Sequence, residues 1–443
     1  VRLHEAARAL NAQAVGPDVE ITSVSTDTRN LPAGCLFVAL KGPRFDGHAF
    51  AAKALEAGAA AVMVEAGANL APPSALVVDD TRLALGRLAA WHRANMPARL
   101  VAITGSNGKT TVKEMVAAIL AEEAGADAVL ATSGNLNNDI GMPLTLLRLT
   151  PAHRHAVIEM GMNHPGELAY LTELARPDVA LVNNALRAHL EGLGSVEAVA
   201  RAKGEIYAGL KDDGIAIVNA DDPHAGLWRE MAGGHRVMGF GFAADADVRI
   251  GEGGFATPAG LIETTLRVPG RHNLRNAAAA AAASLALGAS ADSVAKGLAA
   301  YVGTKGRLQI HPCILGATLI DDTYNANPDS TLAAIQVLAE RPGTRILVLG
   351  DMGELGPDAA ALHGEVGEQA RATGIERLLC LGEMSAHTAK GFGAGAMHFE
   401  RIEELLAEIE CALGPDVTVL VKGSRFMKME RVVQSFMEAH KCY

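Results

Sequence analysis

Aromatic residues are scarce in this chain, at 4% of its length. A large core without them has to be built from Ala, Val, Leu and Ile, side chains that suit layered helices and sheets. Cysteine is sparse too. Cys35, Cys313, Cys380, Cys411 and Cys442 are scattered, odd in number and form no Cys-x-x-Cys pair. That argues against a disulfide framework or a zinc site and fits a reducing compartment. No apolar run is long enough for a bilayer. The longest uncharged stretch, 276–291, is mostly alanine and reads as a tightly packed helix rather than a span. An excess of basic residues is also missing. The formal charge of −11 argues against broad binding of nucleic acid or anionic membrane, so any anionic ligand must be gripped locally. With no leader-like opening segment, the chain is expected to be soluble and cytoplasmic.

What is present is ample for folding: 49% hydrophobic and 20% charged residues over 443 positions, a length that predicts about three domains. Residues 1–80 hold the short β-like runs CLFVAL, AAVMV and ALVVDD around one Ala-rich helix at 49–58. A helical stretch at 81–95, carrying Leu83, Leu85, Leu88 and Trp91, leads into a hinge at Pro97. From 99 to 302 the apolar runs LVAITG, HAVIEMG, VALVNNA and GIAIVNADD alternate with helical periods, which predicts a mainly parallel sheet covered by helices. Residues 240–269, rich in Gly and β-branched residues, read as an antiparallel insert at one edge. After Gly303 the rhythm restarts with ATLIDD, RILVLGD, RLLCLG and VTVLVKG, a smaller doubly wound α/β domain. The expected boundaries are 1–80, 81–303 and 304–443.

The stretch VAITGSNGKTTVKEM, residues 101–115, joins a strand to a helix through a glycine loop. Only two residues separate Gly105 from Gly108, against four in the standard P-loop. The physics is shared: glycines let backbone N–H groups turn onto phosphate oxygens, and the helix adds its positive end. Lys109 would reach the β- and γ-phosphates, and Thr110 would offer a hydroxyl to Mg²⁺. A Gly-rich turn with an incidental lysine is the bland alternative. Glu159 stands at the carboxyl end of an apolar strand, where ligand crevices open in such sheets. His164 and Glu167 read instead as a helix start with Pro165 at its first position. His189 follows the next strand, and Lys203 lies on the helix after it.

TGSNGKTT, the Glu159 strand, NN…AHL, ARAKGEI, NADD (219–222), GRHNLRNAAAA (270–280) and GRLQ (306–309) stand in the order seen in the Mur ligases. These are bacterial cytoplasmic enzymes that extend the peptide of the peptidoglycan precursor, and the resemblance covers essentially the whole chain. TSGNLNNDIGMPLTLL (132–147), IDDTYNANPDS (320–330), VLGDMGELG (348–356) and VLVKGSRFMKMERVV (419–433) resemble one branch of that family. That branch joins D-alanyl-D-alanine to UDP-MurNAc-tripeptide.

The resemblance implies an N-terminal α/β UDP-binding domain, a central P-loop ATP-binding domain and a C-terminal Rossmann-like domain. The chain is expected to be a monomer. The UDP end would lie at Ser25, Thr26, Asp27 and Arg29, and at Lys41, Asp46, Gly47 and His48. ATP would lie on Gly105, Ser106, Asn107, Gly108, Lys109, Thr110 and Thr111, with Asn276 at adenine, Arg307 near the nucleotide and Asp322 at ribose. Asn273 would order the turn before Asn276. Mg²⁺ would be held by Thr110, Glu159 and His189, with Lys203 carboxylated by CO₂ to support a second ion. Asn135, Asn138, Asn325 and Asn327 would face substrate; the last two, placed where the strand meets a helix, could otherwise form a turn around Pro328. Ser424 and Arg425, supported by Lys422, would take the carboxylate of the incoming dipeptide. Where relatives typically carry Gly-Pro before AHLEG, this chain has Leu186-Arg187, so the loop presenting His189 is expected to differ. The alternatives are a Mur-type or folylpolyglutamate-type ligase with another acceptor, a P-loop ATPase without a synthetic step, and a catalytically dead binding protein. The ATPase leaves residues 1–80 without a use.

Overall fold

The computed structural model describes residues 1–68, 70 and 72–437; Cys442 lies outside them. Alternating apolar residues build the first sheet. Its strands run in the order Gln13–Val15, Ala75–Val78, Ala61–Glu65, Leu36–Val38, Val24–Ser25, parallel except for the first pair. Leu36, Val38 and Met63 face one core while Phe37, Val62 and Val64 face another, the period of two that strands impose. The helix Leu3–Leu10, which the sequence reading did not include, closes the first core with Leu3, Ala6 and Ala7. The expected helix at 49–58 is a 3₁₀ turn at Gly47–Phe50 followed by Ala51–Glu56.

The helix Thr81–Ala94 is capped by Asp80, whose carboxylate accepts from the Leu83 N–H at 2.8 Å. It serves two cores: Ala84, Leu85 and Leu88 pack under the first sheet, and Ala89 under the second. Leu83 instead lies 44% exposed.

The central sheet runs Gly260–Glu263, Gly254–Thr257, Val248–Gly251, Arg236–Gly241, Ile215–Asn219, Val179–Val182, Arg99–Thr104, His155–Glu159, Val129–Ala131. It is parallel from Val248–Gly251 onward. The last two hairpins are antiparallel, as expected for 240–269, although Val248–Gly251 joins its neighbour in parallel. Arg99–Thr104 lies between strands that follow it in the chain on both sides, so a crevice opens at its carboxyl end. The helix after it, Lys109–Ala124, is clamped by two small-residue helices, Arg271–Ala286 and Ala291–Ala300. Ala277 to Ala283 have no exposed surface. A Cβ at Gly297 would sit 2.5 Å from the Ile119 Cα, so even alanine there would cost about 1–3 kcal/mol in overpacking. The phosphate-loop helix is thereby held rigidly.

The third sheet runs Gln309–Pro312, Thr318–Asp322, Val417–Lys422, Thr344–Gly350, Arg377–Leu381, Ala396–Phe399, parallel except for the first strand. Separate apolar clusters cover its two faces, as a doubly wound domain requires. Among the described residues no helix is long and apolar enough to cross a membrane.

Candidate active site

The central and third sheets face a cleft of about 1480 Å³, which Asp80, Arg82 and Leu83 at the start of Thr81–Ala94 also line. Its floor is the loop between Arg99–Thr104 and Lys109–Ala124. Gly108, at φ +80°, starts the helix in a conformation that side chains resist. A Cβ there would also lie 2.4 Å from Asn276 Oδ1 and 2.6 Å from Asn183 Nδ2. Lys109 folds over the loop and donates to the carbonyls of Gly105 (2.7 Å) and Ser106 (3.3 Å). Removal from water pulls its ammonium below the ordinary lysine value, with Glu159 opposing.

Glu159, 2% exposed, ends its strand beside the loop and accepts from Thr110 Oγ1 at 2.9 Å and Asn137 Nδ2 at 2.7 Å. Thr110 Oγ1 also accepts from Arg307 Nη2 at 3.0 Å, so the third domain reaches the phosphate loop directly. The Arg307 guanidinium lies 4.3 Å over the Tyr324 ring. Lys203 is 1% exposed, and its side chain makes no hydrogen bond or ion pair among the described residues. Burial, with the Lys109 charge second, lowers its pKa well below the ordinary value.

His189 lines the same cleft, but its Nδ1 pairs with Glu354 at 2.8 Å. That contact holds the Glu354 carboxyl below its usual range. The described residues contain no group of three or more His, Cys, Asp or Glu side chains able to hold a metal. A Mg²⁺ site built from one carboxylate, one hydroxyl and substrate phosphates needs no such group, and Thr110 with Glu159 fits that pattern.

Asn276 donates to Asn273 at 3.1 Å and accepts from Asn183 at 2.9 Å, while Asn273 orders the turn by donating to the Pro269 carbonyl. Asp322 lines the cleft in a buried ion pair with Lys422 at 2.6 Å. Burial raises its pKa and Lys422 opposes. Lys422 therefore serves Asp322 and the Asn325 carbonyl. Asn327 caps the helix Pro328–Ala339 and exchanges two side-chain hydrogen bonds with Asn107, at 3.2 and 2.7 Å. Ser424 accepts from the Gly353 N–H and donates to the Ala326 carbonyl. Arg425 pairs with Glu430 at 3.0 Å. Asn138 lines the cleft and accepts from the Gly141 N–H at 2.8 Å, whereas Asn135 is exposed outside it.

The first-domain candidates do not line this cleft. Asp27 pairs with Arg29 at 2.6 Å, which lowers its carboxyl to about 2, and Ser25 bonds the Asp27 backbone; Thr26 lies between them. Lys41 pairs across a short hairpin with Asp46, which caps the 3₁₀ turn from Gly47 and accepts from the buried His48. His48 Nε2 accepts in turn from the Glu65 N–H. The helix expected at Pro165 starts instead at Glu167, because Gly166 at φ +87° breaks helical geometry. Glu167 accepts from the Asn163 and His164 N–H groups.

Sequence reasoning missed Asn137, Arg187, His272, Tyr324 and Glu354, which all line the cleft or bond to its residues. Asn137 stands between Asn135 and Asn138, and Tyr324 between Asp322 and Asn325. Removal from water lowers His272 to about 4, with Lys422 and Arg275 adding to the effect.

Family models match along the chain: Mur ligase family, catalytic domain, at 20–119; Mur ligase middle domain at 103–284; and Mur ligase, glutamate ligase domain, at 306–425. The chain is 47% identical to the UDP-N-acetylmuramoyl-tripeptide–D-alanyl-D-alanine ligase of Escherichia coli (strain K12), covering 100% of this chain and 99% of the relative. A crystal structure of MurF from Acinetobacter baumannii superposes with a TM-score of 0.92 at 36% identity, covering 98% of both chains. MurF ligase from Thermotoga maritima in complex with ADP gives 0.82 at 28% identity, covering 93% of this chain and 96% of that one.

Proposed function

The chain belongs to the Mur ligase family, and on that premise we propose that it joins D-alanyl-D-alanine to UDP-MurNAc-tripeptide at the expense of ATP, in peptidoglycan biosynthesis. The observation that carries this reading is the Thr110–Glu159 contact on a phosphate loop whose cleft is walled on its far side by the third domain.

In the reaction the terminal carboxylate of the tripeptide attacks the γ-phosphorus of ATP in line, and ADP leaves. Lys109, now curled onto the loop carbonyls, straightens to neutralise the transferring phosphoryl group. The neutral amine of D-alanyl-D-alanine attacks the acyl phosphate, the tetrahedral intermediate expels phosphate, and an amide remains. Water must be kept out meanwhile, which is the use of a third domain closing on the second. Mg²⁺ held by Thr110 and Glu159 would supply charge neutralisation between the phosphates and the attacking carboxylate. His189 would join it on leaving Glu354. Lys203, buried without a partner and held toward its neutral form, is suited to react with CO₂, giving a carbamate and a proton. The carbamate would meet Lys109 with the opposite charge and support a second ion. Asp27, Arg29, Lys41 and His48 are assigned to the UDP end, and Ser424 and Arg425 to the dipeptide carboxylate. We take 1–80, 81–303 and 304–443 as the domains, with the helix Thr81–Ala94 as their first joint.

The test is phosphate release from ATP with UDP-MurNAc-tripeptide, with and without D-alanyl-D-alanine, and mass analysis of the product. Release that needs both, with UDP-MurNAc-pentapeptide formed, is expected. Full-rate release without either would favour the plain ATPase.

A further inference from the structure

Two adjacent residues of one loop hold different domains. The Leu186 N–H donates to Ser106 Oγ at 2.9 Å, and Ser106 Oγ donates back to the Leu186 carbonyl at 3.3 Å, so residue 186 grips the phosphate loop. Residue 187 grips the third domain. The Arg187 N–H donates to Asp329 Oδ2 at 2.7 Å, and its Nε and Nη2 donate to Asp329 Oδ1 at 3.1 and 2.8 Å. Its Nη1 reaches both oxygens of Glu365, at 2.9 and 2.8 Å. Asp329 lies in the first turn of Pro328–Ala339 and Glu365 on Ala359–Ala372. Among the described residues neither acid has another hydrogen-bond or ion-pair partner. Without Arg187, two carboxylates would face the loop unneutralised.

The same helix start meets the phosphate loop a second time, through Asn327 and Asn107. Ser106 and Asn107 are thus tied to Asp329 and Asn327 by parallel bridges. A planar guanidinium binding two carboxylates fixes orientation as well as distance, which an ammonium would not. The side chains are still 25%, 23% and 40% exposed, so the contact can break and reform.

We propose that Arg187 is a positioning residue that latches the third domain against the phosphate loop, keeping the acyl phosphate aligned with the incoming amine. The use in catalysis rests on the ligase reading; the latch itself does not. Loss of the latch delays the amine more than it slows phosphoryl transfer, so water competes for the acyl phosphate.

The decisive experiment compares Arg187→Ala, Asp329→Asn/Glu365→Gln and their combination for three quantities: kcat/KM for D-alanyl-D-alanine, KM for ATP, and phosphate released per amide formed. For each set of changes kcat/KM for the dipeptide is expected to fall about five- to tenfold. The phosphate-to-amide ratio should rise above one, and KM for ATP, served in part by Arg307 of the same domain, should rise by less than the dipeptide constant falls. The combined variant should be no worse than either parent, and Arg187→Lys should fall between. An unchanged ratio in Arg187→Ala, or effects that multiply in the combination, would overturn the proposal. Energy transfer between dyes at the exposed Cys411 and at Asp292→Cys, in a Cys442→Ser background, reads the latch without substrates. Arg187→Ala and high salt should each lower the close-approach population. No change in either would overturn the latch even if the ligase reading stood, whereas a latch that opens in a chain making no amide would remove only that reading.

Discussion

Polar loops in two regions of this molecule differ in how far they reach. In the first domain Asp27 bonds Arg29 and Asp46 bonds His48, each two residues away. In the phosphate loop Thr110 meets Glu159 49 residues on and Arg307 197 residues on, and Asn107 meets Asn327 220 residues on. The first-domain loops close within their own domain, reaching no farther than the Glu65 N–H bound by His48. The phosphate loop is completed by another domain, so its polar groups are ready to exchange partners when nucleotide enters and domains move. That contrast says where chemistry is to be expected and where only anchoring is.

The sharpest way to break the contrast is at Lys109. Lys109→Ala should lower kcat about a thousandfold without lowering the melting temperature, read by steady-state kinetics and calorimetry. Glu159→Gln should lower kcat about a hundredfold and raise the Mg²⁺ concentration needed for half activity, read by metal titration. A normal requirement for Mg²⁺ would remove Glu159 from the metal. Lys203→Ala should lose activity on the order of tenfold or more and regain part with added short carboxylates, an electrostatic replacement for the carbamate; full activity in the unrescued variant would remove Lys203 from the mechanism. Arg29→Ala should raise KM for the UDP substrate about fivefold and leave KM for ATP alone, since the first-domain loops are anchors; a shift in the ATP constant would collapse the distinction. The smallest effect concerns pH. His272 is held near 4 against an ordinary 6.5, so its neutral form stabilises the fold above 6.5, and that contribution is lost as pH falls toward 4. His272→Gln should flatten the slope of melting temperature against pH in that window.

Lys109, Thr110 and Glu159 were legible because a glycine loop and a strand end fix where their side chains go. Asn137 was not: it sits among Asn135 and Asn138 in a loop without periodicity, and only the fold shows which one turns to Glu159. His189 lines the cleft shared with Lys109 and Glu159, but its pairing with Glu354 depends on a domain more than a hundred residues away in the chain. The Leu186-Arg187 departure was visible in the sequence, whereas its use needed Asp329 and Glu365 brought alongside. In the first domain, Leu3, Ala6 and Ala7 form too short an apolar face to announce the helix Leu3–Leu10 in an alanine-rich segment.

The central claim is that the γ-phosphate captured by this loop activates a carboxylate. UDP-MurNAc-tripeptide labelled with ¹⁸O in its terminal carboxylate, turned over with ATP and D-alanyl-D-alanine, tests it directly. One labelled oxygen in the released phosphate for each amide formed is the predicted result. Phosphate carrying none of the label would mean that water, not the carboxylate, takes the phosphoryl group, and would contradict the account.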